Sequence, residues 1–351
     1  MNDNTVRKKN ERDNRQWQTA HSLYNMQEGT ARGFMSEEAA ARCQSVVATY
    51  PFAATPYYLS LIQGRGIEDP VGRQVLPAPC ECDDSGGSDD PLDEERDTVV
   101  PGLIHRYPDR CLAMVTSLCA VYCRHCNRKN RWSGVRRDAT REELARMVEY
   151  VRRTPVIREV ILSGGDPLMM ARDELHRFLT DVAAIPHVEV LRIGTRLPVV
   201  MPMGIDRELC KMLRPFRPLW VVTQFNHAAE ITDESAQACT RLLESGIPVL
   251  NQSVLLKGVN DSIDVMKALL YALQRIAVRP YYLFHCEPVR GAMHFRTPVA
   301  DGIAMMETLR REISGLCMPR YVIDLPGGAG KMPLYPGCGE SNSFDFTRQM
   351  K

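Results

Sequence analysis

The sequence predicts an α/β fold: a partial (β/α)6 barrel, preceded by a helical segment and followed by a short tail. Three observations carry that prediction. From residue 110 onward, short apolar runs rich in Val, Ile and Leu recur at 112–116, 159–162, 190–193, 220–223, 249–254 and 281–284. Between them, 141–152, 173–184, 206–213, 233–245, 263–275 and 301–314 read as amphipathic helices, the alternation that βα units and a parallel sheet require. The third observation is helix-start chemistry, with Thr140 three residues before Glu143 and Thr232 three before Ser235. Six such units curve into part of a barrel, and in parallel α/β folds chemistry gathers at the C-terminal ends of the strands.

Taken in order, residues 1–63 read as a polar, helical segment. Ser36-Glu-Glu opens one of its helices, and Tyr57-Tyr-Leu-Ser-Leu-Ile closes the segment. Residues 64–100 read as a linker, because Pro77, Pro79, Gly86 and Gly87 are interspersed with Asp83, Asp84, Asp89, Asp90, Asp93, Glu94 and Glu95. Cys80 and Cys82 fall inside it, and a lone Cys-x-Cys in an acidic loop is assigned no role. The barrel then occupies 101–320. Residues 321–351 hold Tyr321-Val-Ile-Asp-Leu325, the loop Pro326-Gly-Gly-Ala-Gly-Lys331 and a tail beginning at Pro336.

Composition excludes several classes of protein. The 351 residues are 44% hydrophobic and 25% charged, ordinary globular usage with enough chain for one large or two ordinary domains. A formal net charge of +1 gives no global field for nucleic acid or an anionic membrane. The polar N-terminus lacks an apolar signal core, and no run approaches the roughly 18 apolar residues of a membrane span. Twelve cysteines without a secretory signal point to thiols in a reducing cytosol, so a soluble cytoplasmic protein is expected.

Chemistry concentrates in Cys119-Ala-Val-Tyr-Cys123-Arg-His-Cys126, directly after the first barrel strand. Three thiolates this close on one loop converge on a metal centre but leave a coordination position open, whereas structural zinc and electron-transfer clusters normally use four ligands. A four-iron cluster held by three cysteines has one iron free for chemistry. Arg124, His125 and Arg128 are expected to favour the thiolate form.

Three further motifs accompany it. Ser163-Gly-Gly-Asp166 ends the second strand, where glycines admit close approach of a ligand and free N–H groups can cradle it; a tight βα turn is the competing reading. His105-Arg-Tyr-Pro-Asp-Arg110 offers two guanidiniums and a phenol suited to a phosphate or carboxylate, against the competing reading of a solvated basic turn. Lys331 follows Gly-Gly-Ala-Gly without the Gly-Lys-Ser/Thr of a phosphate loop, and lysine is the residue that binds pyridoxal phosphate covalently.

The spacing Cys-x3-Cys-x2-Cys resembles the cluster loop of radical S-adenosylmethionine (radical SAM) enzymes. The stretches 101–110, the cysteine loop with Arg128, 162–166, 251–261, 294–298 and 326–331 together resemble the lysine 2,3-aminomutase family, in matching order from about Tyr57 to Lys331. The resemblance implies a TIM-like partial barrel and an isomerase. Cys119, Cys123 and Cys126 would bind a [4Fe-4S] cluster. Ser163, Gly164, Gly165, Asp166 and Gln252 would contact S-adenosylmethionine. Arg106, Tyr107 and Arg110 would bind the phosphate of pyridoxal 5′-phosphate, which Lys331 would hold as an aldimine. Arg128 would pair with the substrate carboxylate, and Glu287 with Asp324 would face its side chain. The reaction implied starts with a 5′-deoxyadenosyl radical, which takes hydrogen from C3 of an amino acid. The amino group then migrates from C2 to C3 to give a β-amino acid, and the cluster takes its electron from an external donor.

This chain departs from the family's pattern at four places. Glu287 stands where Asp is typical, Gln224 and Phe284 where His and Tyr are typical, and Ser262 where a cysteine ligand of a structural zinc is typical. The chain ends shortly after Lys331 with only Cys338 in its tail, so a structural zinc is not expected and self-association, in the simplest case a dimer, would rest on other surfaces. A cationic substrate is expected, lysine favoured over arginine. Aminomutation of a lysine within a protein, and a non-catalytic iron–sulfur sensor or carrier, are the alternatives.

Overall fold

A computed structural model describes residues 14–64, 66–83, 86–132, 134–328 and 330–335. The tail from Pro336, with Cys338, lies outside the described residues, as do residues 1–13, Asp84 and Ala329.

Among the described residues ten strands form one sheet in sequence order. They are β1 (Thr98–Val100), β2 (Leu103–Tyr107), β3 (Arg110–Thr116), β4 (Glu159–Gly164), β5 (Val190–Gly194), β6 (Leu219–Thr223), β7 (Val249–Leu255), β8 (Arg279–His285), β9 (Arg320–Leu325) and β10 (Gly330–Pro333). All pairings from β3 to β9 are parallel. The edges are antiparallel, β1 with β2, β2 with β3 and β9 with β10. The six strands expected from sequence are β3 to β8, each followed by a helix: Arg141–Arg153, Arg172–Ala183, Arg207–Leu213, Asp233–Glu244, Ile263–Arg275 and Val299–Glu312. The sequence did not assign the antiparallel strands β1, β2 and β10, nor the seventh parallel strand, β9. It follows from the sixth helix, since a helical crossover returns the chain parallel to the strand it left.

Alternation along the strands divides inside from outside. On β3, Cys111, Ala113 and Val115 are buried against the helices, while Leu112 and Met114 face the barrel interior. On β4, Val160 and Leu162 pack outward while Ile161 and Ser163 face inward. The helices present matching apolar stripes, such as Leu144, Met147, Val148 and Val151 on Arg141–Arg153. Both capping boxes read from the sequence are formed, at Thr140/Glu143 and Thr232/Ser235. Ser262, where a zinc ligand was considered, caps the helix Ile263–Arg275 by accepting from the Val265 N–H.

The sheet is unclosed among the described residues, and side chains bridge the seam between β2 and β9. The Arg106 guanidinium donates to the Leu325 carbonyl, and the Tyr107 hydroxyl donates to Asp324 at 3.3 Å. The helical N-terminal segment runs as short helices from Arg15 to Ser60, with Ser36 capping Glu37–Arg42 as its sequence indicated. It shares the barrel's core: Tyr58 is fully buried and donates to Glu230 at 2.6 Å, and Thr55 donates to the Val200 carbonyl at 2.6 Å. The acidic segment packs on the barrel mouth. Ser88 bridges to Val289, Asp89 pairs with Arg290 at 2.7 Å, and Glu81 and Glu94 are buried.

Candidate active site

The barrel encloses a cavity of about 650 Å³. Every site residue selected from the sequence lines it: the three cysteines, Ser163 to Asp166, Gln252, Arg106, Tyr107, Arg110, Arg128, Glu287, Asp324 and Lys331. Gln252 comes from β7, and four further elements bring the others together. The loop after β3 carries the cysteines and Arg128, the end of β4 the glycines, the β2–β3 hairpin the two arginines and Tyr107, and the β8–β10 side the carboxylates and lysine.

Cys119, Cys123 and Cys126 are free and partly exposed. Burial, then Asp166 and the neighbouring sulfurs, pushes the Cys119 thiol well above its ordinary range, and burial followed by Cys123 pushes Cys126 up to about 11. Burial makes the Cys119 and Cys126 thiols hard to ionise unless positive charge is supplied beside them, which a metal centre does. No three His, Cys, Asp or Glu among the described residues are grouped to hold one metal ion.

The expectation that Arg124, His125 and Arg128 would favour the thiolates is corrected for the first two, whereas the Arg128 N–H donates to Cys126 Sγ at 3.4 Å and its charge favours that thiolate. Arg124 is wholly buried and turned away to Glu81 at 2.5 Å, with Lys129 on the same carboxylate at 2.5 Å. Burial opposes the Glu81 charge, but Arg124 and Lys129 hold its carboxyl below the usual range, whereas burial brings Lys129 down to about 8. His125 is held neutral, chiefly by burial and then by Arg196, and its Nε2 accepts from Gln224 (3.1 Å) and Asn226 (3.2 Å). Arg128 is committed to Glu94 at 2.6 Å. The cation that touches a cluster cysteine is Arg196, from the end of β5. It donates to Cys123 Sγ at 2.9 Å and is held by Glu230, Gln74 and Tyr58.

The glycine motif also acts differently from its sequence reading. Gly164 has φ +119, and a Cβ there would lie 2.3 Å from the Thr116 carbonyl oxygen. At Gly165 a Cβ would lie 2.3 Å from the Leu118 carbonyl oxygen. The glycines therefore let the cysteine loop's own backbone approach β4. Two of the motif's N–H groups are not left for a ligand: Gly165 donates to the Thr116 carbonyl and Asp166 to the Leu118 carbonyl, both at 2.7 Å. The Asp166 carboxylate accepts from Thr195 (2.7 Å) and from the Arg196 N–H (2.8 Å), tying β4 to β5, although burial raises its pKa.

At the other end, β10 pairs Lys331 opposite Asp324 on β9, and Nζ lies 3.3 Å from the carboxylate. Tyr107 and Phe284 present their rings to the same ammonium, at 5.5 and 5.7 Å. Arg106 stands 3.8 Å from Asp324, and Arg110 stacks on Tyr107 at 3.9 Å. Asp324, read from sequence as a substrate ligand, thus also neighbours the lysine and the phosphate-binding candidates. Glu287 is hydrogen-bonded by Asn127, yet its Oε2 is buried with no partner. Burial, then Asp324, pushes this carboxyl up to about 7.

Glu81, Glu94, Arg196 and Glu230 were missed from the sequence. None left a local signal: Glu94 lies in an acidic run that reads as solvated, and only the fold shows Leu92 and Glu94 buried in alternation.

A model of the radical SAM superfamily matches residues 114–270. The chain is similar to an L-lysine 2,3-aminomutase of Clostridium subterminale, at 47% identity over 88% of this chain and 74% of the relative. It is 49% identical to a putative L-lysine 2,3-aminomutase of Aquifex aeolicus, over 86% and 81%. A glutamate 2,3-aminomutase of Clostridioides difficile is 40% identical, over 85% and 71%.

Proposed function

We propose that this chain, which belongs to the lysine 2,3-aminomutase family, moves the α-amino group of a free amino acid with a cationic side chain from C2 to C3, and that lysine is favoured over arginine. The chain is a radical SAM aminomutase, an isomerase, with a [4Fe-4S] cluster, S-adenosylmethionine and pyridoxal 5′-phosphate as its cofactors. The residues present fit all three. Cys119, Cys123 and Cys126 offer three free thiols on one loop of the cavity wall for the cluster. Ser163 to Asp166, with Gln252, line the same cavity and would contact S-adenosylmethionine. Arg106, Tyr107 and Arg110 make an anion site for the phosphate, and Lys331 Nζ is the covalent anchor. Bound there, these groups supply a carbon-radical initiator and a conjugated ring that spreads an unpaired electron during nitrogen migration.

The chain's own residues do the positioning. Arg128 receives the α-carboxylate, because a planar fork matches two oxygens and a lysine there could not. Asp324 and Glu287 receive the side-chain cation. Leu112, Ile161, Met114, Val222 and Val254 line the wall with apolar surface that excludes water and competing hydrogen donors.

The observation that carries the substrate class is the unpartnered Glu287 Oε2 beside Asp324. Two carboxylates there repel an acidic side chain, and a neutral one leaves the Glu287 Oε2 buried without a partner. A cation satisfies both. This separates the chain from its glutamate-named relative, which identity alone does not. Glu is one methylene longer than the Asp typical at this position, which shortens the pocket and supports lysine. No helix among the described residues is long and apolar enough to cross a membrane, which supports the cytoplasmic reading. The test is anaerobic incubation of the reconstituted enzyme with lysine, arginine, ornithine and glutamate, reading the β-isomer. Preference for glutamate overturns the cationic class; preference for arginine overturns only the choice of lysine.

A further inference from the structure

We infer that Glu94 is a positioning residue for substrate binding: it grips one edge of the Arg128 guanidinium so that the opposite edge is presented to the substrate carboxylate. This rests on the reading that Arg128 receives that carboxylate. A guanidinium offers paired N–H groups on two edges, Nε with Nη2 and Nη1 with Nη2. Glu94 takes the first, with Nε at 2.9 and 3.1 Å from its two oxygens and Nη2 at 2.6 Å. Nη1 meets Ser163 Oγ at 3.2 Å, on the cavity wall. The second edge is therefore the one free to meet a ligand, and its direction is set by Glu94 and Ser163 together.

Glu94 is itself held. Its side chain is 8% exposed, its carbonyl accepts from Thr98 at 2.7 Å, and Leu92 beside it is buried. The surrounding segment is stitched to the β8 loop through Ser88–Val289 and Asp89–Arg290. Charge also balances. Arg131 stands 3.3 Å from Glu94, so two guanidiniums flank one carboxylate and one positive charge is left over. A Glu94 that merely neutralised Arg128 would repel a second carboxylate; between two arginines it does not cancel the attraction. An isolated arginine would sample many rotamers, and its fork would reach the productive angle only part of the time.

The competing idea is that Glu94 occupies the place of the substrate carboxylate and must leave, and it predicts the opposite sign. In the anaerobic, cofactor-loaded enzyme, Glu94→Gln raises KM for lysine about ten- to a hundredfold with kcat changed by less than about threefold. Glu94→Asp recovers most of the loss. Arg128→Lys raises KM as much, and the Glu94→Gln/Arg128→Lys double variant is no worse than Arg128→Lys alone, because the two act as one unit. Equilibrium binding of lysine, followed by the change in cofactor absorption, moves with KM. Iron content and melting temperature are measured for every variant, and if Glu94→Gln fails to load, the same comparison is made with Glu94→Asp, whose shorter reach must still raise KM. A lower or unchanged KM in the Glu94 variants, with Arg128→Lys impaired, overturns the inference alone. An unchanged KM in Arg128→Lys overturns the reading on which it rests.

Discussion

The two ends of the cavity solve opposite problems. Around the cysteine loop nearly every buried charge has a partner within the chain: Glu81 with Arg124 and Lys129, Glu230 with Arg196 and Tyr58, Asp166 with Thr195 and the Arg196 N–H. Most of these contacts are 2.5–2.8 Å, the range of charge-assisted hydrogen bonds. At the β8–β10 end, Asp324 touches Lys331, Tyr107 and Arg106 only at 3.3–3.8 Å, and Glu287 leaves an oxygen unpartnered. At the first end the charges are satisfied within the chain, and they fix the loop that carries the cysteines. The second is incomplete, and its loose contacts are what a substrate and a phosphate-bearing cofactor would tighten. Satisfied burial marks what the fold holds still, and unsatisfied burial marks what it holds ready.

The comparison can be broken most severely at the sulfurs. Replacing Cys119, Cys123 or Cys126 by Ala abolishes the cluster's visible absorption and all cleavage of S-adenosylmethionine; stoichiometric iron and sulfide in the triple variant would falsify that assignment. Lys331→Ala eliminates β-amino acid formation and the absorption of the lysine-bound cofactor, but leaves iron content unchanged. Borohydride trapping that maps to a different lysine contradicts it.

Asp324→Asn lowers kcat/KM for lysine by roughly two to four decades, the equivalent of about 3–5 kcal/mol for one member of a buried ion pair. Indifference to the change removes the cationic-substrate reading. Glu81→Gln acts on stability instead. It strands Arg124 and Lys129 in a dry site at a cost of about 3–5 kcal/mol, read as a lower melting temperature and poorer iron retention. A melting temperature equal to wild type shows that the triad does not anchor the loop.

Glu287→Gln sharpens the contrast with the smallest effect and the opposite sign. Burial and Asp324 raise its carboxyl from 4.5 to about 7, so it favours folding while protonated, and that contribution is lost as pH rises through about 7. The ligand-free wild type therefore loses stability over this interval while KM for lysine falls, because the ionised form is the one a cation needs. Glu287→Gln removes both dependences and leaves the ligand-free protein as stable or more so above pH 7. A pH profile of melting identical to that of wild type excludes Glu287 as the group responsible.

What the sequence by itself determined is whatever depends on near neighbours along the chain. The Cys119, Cys123 and Cys126 loop, the alternation that writes β3 to β8, the caps at Thr140 and Thr232, and the order of motifs from Arg106 to Lys331 are all set by spacings of a few residues. Such spacings fix periodicity and ligand density whatever the rest of the chain does. Tertiary structure alone decided which charge meets which. Glu94 reaches Arg128 from 34 residues away, Glu81 reaches Arg124 from 43 and Arg196 reaches Cys123 from 73. Arg124 and Arg128 look alike in sequence, two guanidiniums in one cysteine loop, yet one is sealed beneath the loop and the other lines the cavity. The difference lies in which acid of a polar run is carried inward. That is settled by packing: a buried ion is tolerated only where a partner arrives from elsewhere in the fold to meet it, and no local pattern records that arrival.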